Sequence, residues 1–274
     1  MSEDKSPADL FRQWTVVDLT LLIAEELPSA WAKHMPYQQK TFNYFDDVNR
    51  QVAPLHSTTG PYQTRWLLID EHTGTHVDAP AHFIPETSTG LPHAADVGSV
   101  TVEQIPLTQL IGPAVVVDIP ADLPGGAPGV SPIITRQFLR DWEEEHGEFV
   151  DGDIVLFHTG WDSHYVAGEK GREYTHAPLV TRDAPGWPAP DADAMRHLIE
   201  RGVTCVGTDG ASMGSAHDGA GVHYEGLAER VAYVEALGHL DSLPVRGAVF
   251  CCAPIKVARG TGAPARAFAW VPGE

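Results

Sequence analysis

The 274-residue chain predicts a mixed α and β fold, an α+β class in which strands outnumber helices. Seven short apolar runs have the length and composition of strands, whereas only two segments place apolar residues at helical spacing. Glycine (26) and proline (22) are spread between the apolar runs and form no linker, so we predict a single domain over residues 1–274. A hydrophobic content of 43% is enough to build a large core.

The predicted strands follow one another along the chain, with turn-forming residues between them. They lie near residues 15–20, 63–71, 113–119, 153–158, 203–208, 247–257 and 265–271. The second contains the apolar run Trp66-Leu67-Leu68-Ile69, which we interpret as a buried strand leading into a histidine-rich segment.

Two helices are predicted between these strands. Residues 135–146 place apolar side chains at helical spacing up to Trp142, and an acidic run beside them indicates a solvated face. Residues 191–201 follow two prolines and present an apolar stripe around Met195, and Gly202 ends the helix.

The most informative segment of the chain places three imidazoles and one carboxylate within a short stretch. It reads His72-Thr73-Gly74-Thr75-His76-Val77-Asp78-Ala79-Pro80-Ala81-His82. Neutral imidazole and carboxylate are ligands that suit zinc or manganese, and a further histidine can accept a proton from water beside the ion. The segment therefore predicts metal-assisted hydrolysis.

Regular secondary structure does not suit this segment. In an extended strand His72 and His76 would stand about 13 Å apart, too far for one ion. A helix is disfavoured by Gly74 and by Pro80, which would clash with the preceding turn. We therefore expect an irregular, glycine-hinged segment. The zincin motif H-E-x-x-H does not fit, because the residue after the first histidine is Thr73.

The segment resembles the signature H-x-G-T-H-x-D-x-P-x-H of the metal-dependent cyclase family, which includes bacterial kynurenine formamidase and isatin hydrolase. The resemblance implies that His72, His76 and Asp78 bind metal and that His82 is the catalytic acid/base. It also implies a swivelling β/β/α architecture, in which helices pack on sheet layers.

Other parts of the chain resemble the same family. Residues 16–20, 153–161 and 203–209 are similar to three of its strands. His223 and Glu235 keep the twelve-residue spacing of the additional ligands in members that hold two metals. Residues 142–147 and 253–262 look closer to the isatin-hydrolase-like branch than to kynurenine formamidase.

The activity that this resemblance implies is opening of a cyclic or aryl amide, such as an isatin-type lactam or an N-formyl-arylamine like N-formylkynurenine. One or two divalent ions, Mn²⁺ or Zn²⁺, would lower the pKa of water from 15.7 toward about 7, and His82 would move the proton. A cyclase, a lactone (cyclic ester) hydrolase and a non-catalytic metal- and ligand-binding member of the fold are the alternatives. The resemblance also implies a homodimer or higher homo-oligomer that shares pocket residues.

Candidate substrate-binding aromatic residues are taken from the neighbourhood of the motif and from regions that the family uses for its pocket. They are Trp66, Phe45, Phe83 and Trp161. Flat aromatic walls suit a planar substrate, although each of these rings is also compatible with a place in the core.

Charge and composition limit the classes of partner, the location and the state of the cysteines that we expect. The net charge of −19 disfavours nucleic acid and anionic membranes as partners. No apolar run approaches the 18 residues of a membrane span, and the first residues are charged, so we expect a cytoplasmic protein. The three cysteines are too few for a disulfide framework and lie in apolar runs, which predicts buried thiols.

Two glycine-containing motifs remain. Residues 210–214 match the serine-elbow pattern G-x-S-x-G, but residues 215–222 are poor helix material, which disfavours a serine hydrolase. We instead expect Ser212 in a glycine-rich loop near the metal site. Gly260-Thr261-Gly262 is too short to indicate a nucleotide-binding loop.

Overall fold

The structure, a computed structural model, describes residues 13–45 and 62–273. Its strands are β1 (Trp14–Asp18), β2 (Gln38–Tyr44), β3 (Gln63–Leu68), β4 (His76–Asp78), β5 (Ile111–Asp118), β6 (Ile133–Ile134), β7 (Ile154–His158), β8 (Ala189–Pro190), β9 (Cys205–Thr208), β10 (Ala232–Glu235), β11 (Arg246–Pro254) and β12 (Gly262–Pro272). The α-helices are α1 (Arg136–His146), α2 (Ala192–Glu200) and α3 (Ala220–Ala228). Several short 3-10 turns connect them.

The main sheet closes on itself. Its order is β1-β12-β11-β5-β7-β9-β10-β4, and β4 also pairs with β12. Because β12 has 11 residues, its first part pairs with β4 and its last part with β1. The neighbours β5, β7, β9 and β10 are parallel, so their carboxyl ends share one edge of the sheet.

Alternate residues of the same strands supply two separate cores. Val115, Val155 and Val206 belong to the cluster that packs the sheet against the three helices. Val116 and Leu156, one residue along, belong to a second cluster that fills the enclosed side of the sheet. This alternation follows from the two-residue repeat of strand side chains. Full burial of such a side chain stabilises the fold by about 1.5–3 kcal/mol.

Most of the predicted elements are confirmed. The strands expected in the second half of the chain match β7, β9, β11 and β12, and both predicted helices are present as α1 and α2. Thr135 and Asp191 cap these helices by accepting hydrogen bonds from Phe138 N and Ala194 N. The mixed α and β class is therefore confirmed.

The strand predicted at residues 63–71 is present as β3, but the expectation that its apolar run, residues 66–69, is buried is wrong. β3 ends at Leu68 and, among the described strands, pairs only with the unpredicted strand β2, as a separate two-stranded antiparallel hairpin. Trp66 is 37% exposed and Leu67 is 55% exposed. An apolar run predicts a strand, but it does not show whether another part of the chain packs over that strand and buries it.

Further elements were not predicted, among them helix α3, strand β10 and the two-residue strands β6 and β8. Helix α3 begins at Ala220, within the stretch judged to be poor helix material, and Gly219 before it provides no side-chain cap. Strand β10 is only four residues long, and all four are buried. Burial of Val222 and Leu227 stabilises α3 in a way that local propensity does not indicate.

The described residues also bear on the predictions about membrane spans and cysteines. No helix in the part of the chain that the structure describes is long and apolar enough to cross a membrane. The thiols of Cys205, Cys251 and Cys252 are free and buried, as predicted.

Candidate metal centre

Strand pairing places the first ligand set. β4 and β10 are antiparallel, and Glu235 is the register partner of His76. His76 and Asp78 lie two residues apart on one strand and therefore share a face. His76 Nε2 lies 3.3 Å from Asp78 Oδ1 and 3.4 Å from Glu235 Oε2. The expected irregular segment thus ends at residue 75, since residues 76–78 form β4.

Helix α3 carries His223, which was predicted as an additional ligand. His223 Nε2 lies 3.3 Å from Glu235 Oε1 and 3.7 Å from Asp78 Oδ2. The twelve-residue spacing between His223 and Glu235 thus spans the end of α3, a short turn and β10. All four residues, including His76, are at most 4% exposed.

The turn before β4 brings in His72. Gly74 is in the left-handed region (φ 61°), and a Cβ atom there would lie 2.9 Å from Ile23 Cγ1. The predicted glycine hinge is therefore present, and it places His72 Nδ1 2.8 Å from Asp78 Oδ1. The ring centroids of His72 and His76 are 5.0 Å apart, far closer than an extended strand would allow.

His82 lies at the end of a short 3-10 helix, Pro80–His82. Its ring stacks on that of His72, with centroids 3.9 Å apart and an interplanar angle of 28°. Phe83 lies beside it and stacks on His223 at 4.1 Å. His82, the last histidine of the motif, thus lies against the candidate ligands, as predicted.

The electrostatics of the centre are dominated by two buried carboxylates. Burial by itself would lower the pKa of His76 and His223, but Asp78 and Glu235 reverse this and raise both to about 10. Burial and Asp78 would raise the pKa of Glu235, but His223 and His76 lower it to about 2. The pKa of Asp78 is held well below its usual range, against burial, chiefly by His82 and His72. In the absence of a cation, protons on the imidazoles balance the two carboxylates.

His82 behaves differently. Burial lowers its pKa to about 4, although Asp78 acts in the opposite direction. The ring is therefore neutral at neutral pH and able to accept a proton.

The donor set fits a divalent cation. Two groups of possible ligand atoms are present, and within each group all the atoms lie within 4.8 Å of one another. One group comprises His72, Asp78 and His82, and the other comprises His76, Asp78 and Glu235. Asp78 Oδ2 is buried and accepts no hydrogen bond from another described residue, which is costly unless a cation or proton donor meets it. Two carboxylates surrounded by neutral imidazoles match the charge of one divalent ion.

The other ring nitrogens of two of these histidines face backbone carbonyls. His76 Nδ1 lies 2.8 Å from Gly74 O, and His223 Nδ1 lies 2.5 Å from Gly219 O. A proton donated to these carbonyls leaves the lone pair of each Nε2 directed at the centre, as is usual for histidines that bind metals.

A cavity of about 260 Å³ opens beside this centre. Of the four predicted substrate-binding aromatics, Phe83 lines it. Trp66 and Phe45 lie exposed on or beside the β2–β3 hairpin, and Trp161 lies behind the cavity, where its Nε1 donates to Tyr174 O. Trp31, which no sequence motif indicated, also lines the cavity, and its ring packs edge-on against the buried Trp187 at 5.8 Å.

Ser212, expected near the metal site, is found there. Its hydroxyl donates to Glu235 Oε1 at 3.1 Å, and the backbone N–H of Met213 donates to the same oxygen. The loop that resembles a serine elbow therefore orients a carboxylate of the centre.

Comparison with known proteins agrees with this geometry. The family described as "Putative cyclase" matches residues 17–215. Isatin hydrolase from Roseibium aggregatum is 32% identical over 255 residues, covering 90% of this chain and 86% of that protein. Kynurenine formamidase from Salinibacter ruber is 26% identical, covering 81% of this chain and 94% of that protein. The crystal structure of an isatin hydrolase bound to the product analogue thioisatinate superposes with a TM-score of 0.74 at 26% identity, covering 97% of this chain and 95% of the other.

Proposed function

Because the chain belongs to the cyclase family, we propose that it is a metal-dependent hydrolase that opens a cyclic or aryl amide. An isatin-type lactam is our first substrate class, since the relative with 32% identity is an isatin hydrolase. An N-formyl-arylamine such as N-formylkynurenine is the second, because a kynurenine formamidase is also among the relatives.

The observation that supports this proposal most directly is the buried donor set around Asp78. Its Oδ2 atom has no hydrogen-bond partner among the described residues, although imidazoles and a second carboxylate surround it. We propose that His72, His76, Asp78, His223 and Glu235 hold one or two ions of Mn²⁺ or Zn²⁺. When bound, such an ion supplies Lewis acidity at the substrate carbonyl and makes water a better nucleophile at neutral pH.

We assign the proton transfers to His82. Its ring is neutral, lines the cavity and makes no side-chain hydrogen bond to another described residue. His82 accepts the proton of the attacking water as the new C–O bond forms. It then returns that proton to the amide nitrogen as the C–N bond breaks, which leaves an amine and a carboxylate.

The cavity wall suits a planar aryl substrate. Phe83 and Trp31 present aromatic surface, and the small side chains Ala211, Ala216 and Ala236 leave room between them and the centre. Aromatic walls of this kind favour flat rings over bulky aliphatic groups.

We further propose that two copies of the chain associate through the β2–β3 hairpin. Phe42, Trp66 and Leu67 on it are 45%, 37% and 55% exposed, respectively. Trp66 and Leu67 follow each other on β3 and so lie on opposite faces, which leaves exposed apolar surface on both faces of the hairpin, as is typical of association sites. Light scattering at several protein concentrations should report a dimer that Leu67→Asp weakens.

A cytoplasmic location and a single catalytic domain over residues 1–274 complete the proposal. Three buried free thiols are consistent with a reducing compartment. The closed sheet draws its strands from Trp14 through Pro272, so most of the chain contributes to one sheet and to the cores on its two faces.

The activity is tested with protein stripped of metal by chelator and reloaded with Mn²⁺ or Zn²⁺. Isatin, N-formylkynurenine, an N-formylaniline, a cyclic imide and an aryl lactone are assayed in parallel, and bound metal is counted. We expect turnover of isatin or a formyl-arylamine that chelator abolishes and metal restores. Turnover of the lactone alone would move the assignment to a cyclic-ester hydrolase, and stoichiometric metal binding without any turnover would indicate a binding protein.

A further inference from the structure

One histidine of the metal centre is held differently from the others. His76 lies on β4 and His223 on α3, and each ring directs Nδ1 toward a nearby backbone carbonyl. His72 lies in the turn before β4, where no strand or helix holds its backbone. Its outer ring nitrogen, Nε2, faces the hydroxyl of Thr261 at 3.2 Å, a residue 189 positions away in the chain.

The hydrogen bonds of Thr261 have a defined direction. Its hydroxyl donates to Glu71 Oε2 at 2.7 Å, and its backbone N–H donates to the same oxygen at 2.8 Å. A hydroxyl has one hydrogen, so Thr261 Oγ1 can only accept from the ring of His72. In the neutral ring the proton then resides on Nε2, and the lone pair of Nδ1 is directed toward Asp78.

The backbone around Thr261 fits closely against the same ring. A Cβ atom at Gly262 would lie 2.5 Å from His72 Cε1, and Ala79 N donates to Thr261 O at 2.9 Å. Gly262 is also the register partner of Asp78 where β12 meets β4. The Gly260-Thr261-Gly262 segment, which had no assigned role from its sequence, therefore forms the wall behind His72.

We propose that Thr261 and Glu71 are positioning residues that select the tautomer and orientation of His72 in which Nδ1 binds the ion. This inference rests on the metal role proposed above for His72. Neither residue touches substrate, and neither is a ligand. Outer partners of this kind change metal affinity by about 10- to 100-fold when they are removed.

The test compares Thr261→Val, which keeps the shape and removes the hydroxyl, with Thr261→Ser, which keeps the hydroxyl. Glu71→Ala and Glu71→Gln form a second pair, in which only the glutamine retains an acceptor oxygen. Thr87→Val is the matched control, because Thr87 lies on an exposed 3-10 helix, its hydroxyl donates to Asp96, and it does not line the cavity.

The dissociation constant for Zn²⁺ is measured by competition with a chromophoric chelator on metal-free protein. We expect Thr261→Val to weaken binding by about 10- to 100-fold, Thr261→Ser to restore it to within about threefold, and Thr87→Val to leave it unchanged. Glu71→Ala should weaken binding more than Glu71→Gln does.

The tautomer is read independently from long-range ¹H–¹⁵N spectra of the zinc-loaded protein. Wild type should show His72 protonated at Nε2, and the Thr261→Val protein should lose protection of that proton from solvent exchange. Wild-type zinc affinity in a folded Thr261→Val or Glu71→Ala protein would overturn this inference and leave the proposed function standing. A wild-type protein that binds no Zn²⁺ or Mn²⁺ would overturn both.

Discussion

The two sides of the metal centre are built in different ways. On one side His76, Asp78 and Glu235 project from paired strands, so the register of β4 and β10 determines their separation. On the other side His72 and His82 project from a turn and from a three-residue 3-10 helix. Their positions depend on Gly74, on ring stacking and on hydrogen bonds from distant residues.

This difference indicates a division of roles. The strand side combines buried carboxylates with imidazoles whose pKa values those carboxylates raise, which is the chemistry of cation binding. The turn side includes His82, whose pKa burial lowers to about 4, and it borders the cavity. We therefore expect mutations of His76, Asp78 and Glu235 to affect metal retention first and mutation of His82 to affect turnover first.

The largest effect is expected at Asp78, which contacts both sides. Asp78→Asn removes one of the two buried negative charges and should weaken metal binding by more than the ~100-fold that outer partners produce, with turnover lost. Metal content after gel filtration and the rate of isatin or formamide hydrolysis measure this. Asp118→Asn is the control, because Asp118 is an exposed partner of His158. Full metal content in the Asp78 variant would contradict the proposed centre.

The second prediction separates the two sides. His82→Gln should lower kcat by about 10²- to 10⁴-fold, the usual contribution of a general acid/base, and leave metal bound. His146→Gln, at the far end of α1, provides a matched histidine control that should keep full activity. Since His82 also lies among ligand atoms with His72 and Asp78, loss of metal together with turnover would reassign it as a ligand.

The third prediction concerns the turn itself. Gly74 and Gly90 both have φ near +60°, but a Cβ atom at Gly74 would press on Ile23, whereas at Gly90 it meets nothing within 4 Å. Each glycine-to-alanine change should cost about 1–2 kcal/mol of unfolding free energy through backbone strain. Only Gly74→Ala should also reduce activity, because it displaces the turn that holds His72. Equal activity of the two variants would show that the turn tolerates movement.

The smallest effect on the metal centre is expected at a buried polar cluster outside it, where a substitution should change stability but not metal binding or activity. Glu143 accepts hydrogen bonds from His197 Nε2 at 2.8 Å and from Phe149 N at 3.0 Å, and Arg201 lies beside it. Burial acts to raise the pKa of Glu143, but His197, Phe149 N and Arg201 lower it overall. A carboxyl group whose pKa is lower in the folded state stabilises the fold above its unfolded pKa, and this stabilisation is lost as pH falls below it.

Urea unfolding should therefore show that wild type loses stability between pH 7 and pH 3 more steeply than Glu143→Gln does. At pH 7 the variant should be less stable by about 1–3 kcal/mol, because hydrogen bonds to a charged group are weakened. Parallel pH profiles of the two proteins would contradict this role of Glu143.

Much of this centre could be anticipated from sequence because its ligands lie close together in the chain. His72, His76, Asp78 and His82 fall within one motif, and the structure brings their rings and carboxylate together. Their assignment as ligands and acid/base stays a prediction until metal and activity are measured. Trp31 and Thr261 could not be found in this way, because no local pattern shows that Trp31 lines the cavity beside His82 or that Thr261 contacts His72.

Sequence alone determined the class of fold, the two capped amphipathic helices and the histidine-rich motif, because each depends on residues that are neighbours in the chain. Tertiary structure alone decided three other features: closure of the sheet through β4 and β12, formation of the uncapped helix α3, and exposure of the β3 hairpin. Each of these depends on which surface a segment buries against. The surface against which a segment packs is the one that minimises the exposed apolar area and the unpaired polar groups of the whole chain. A short stretch of sequence does not contain this information.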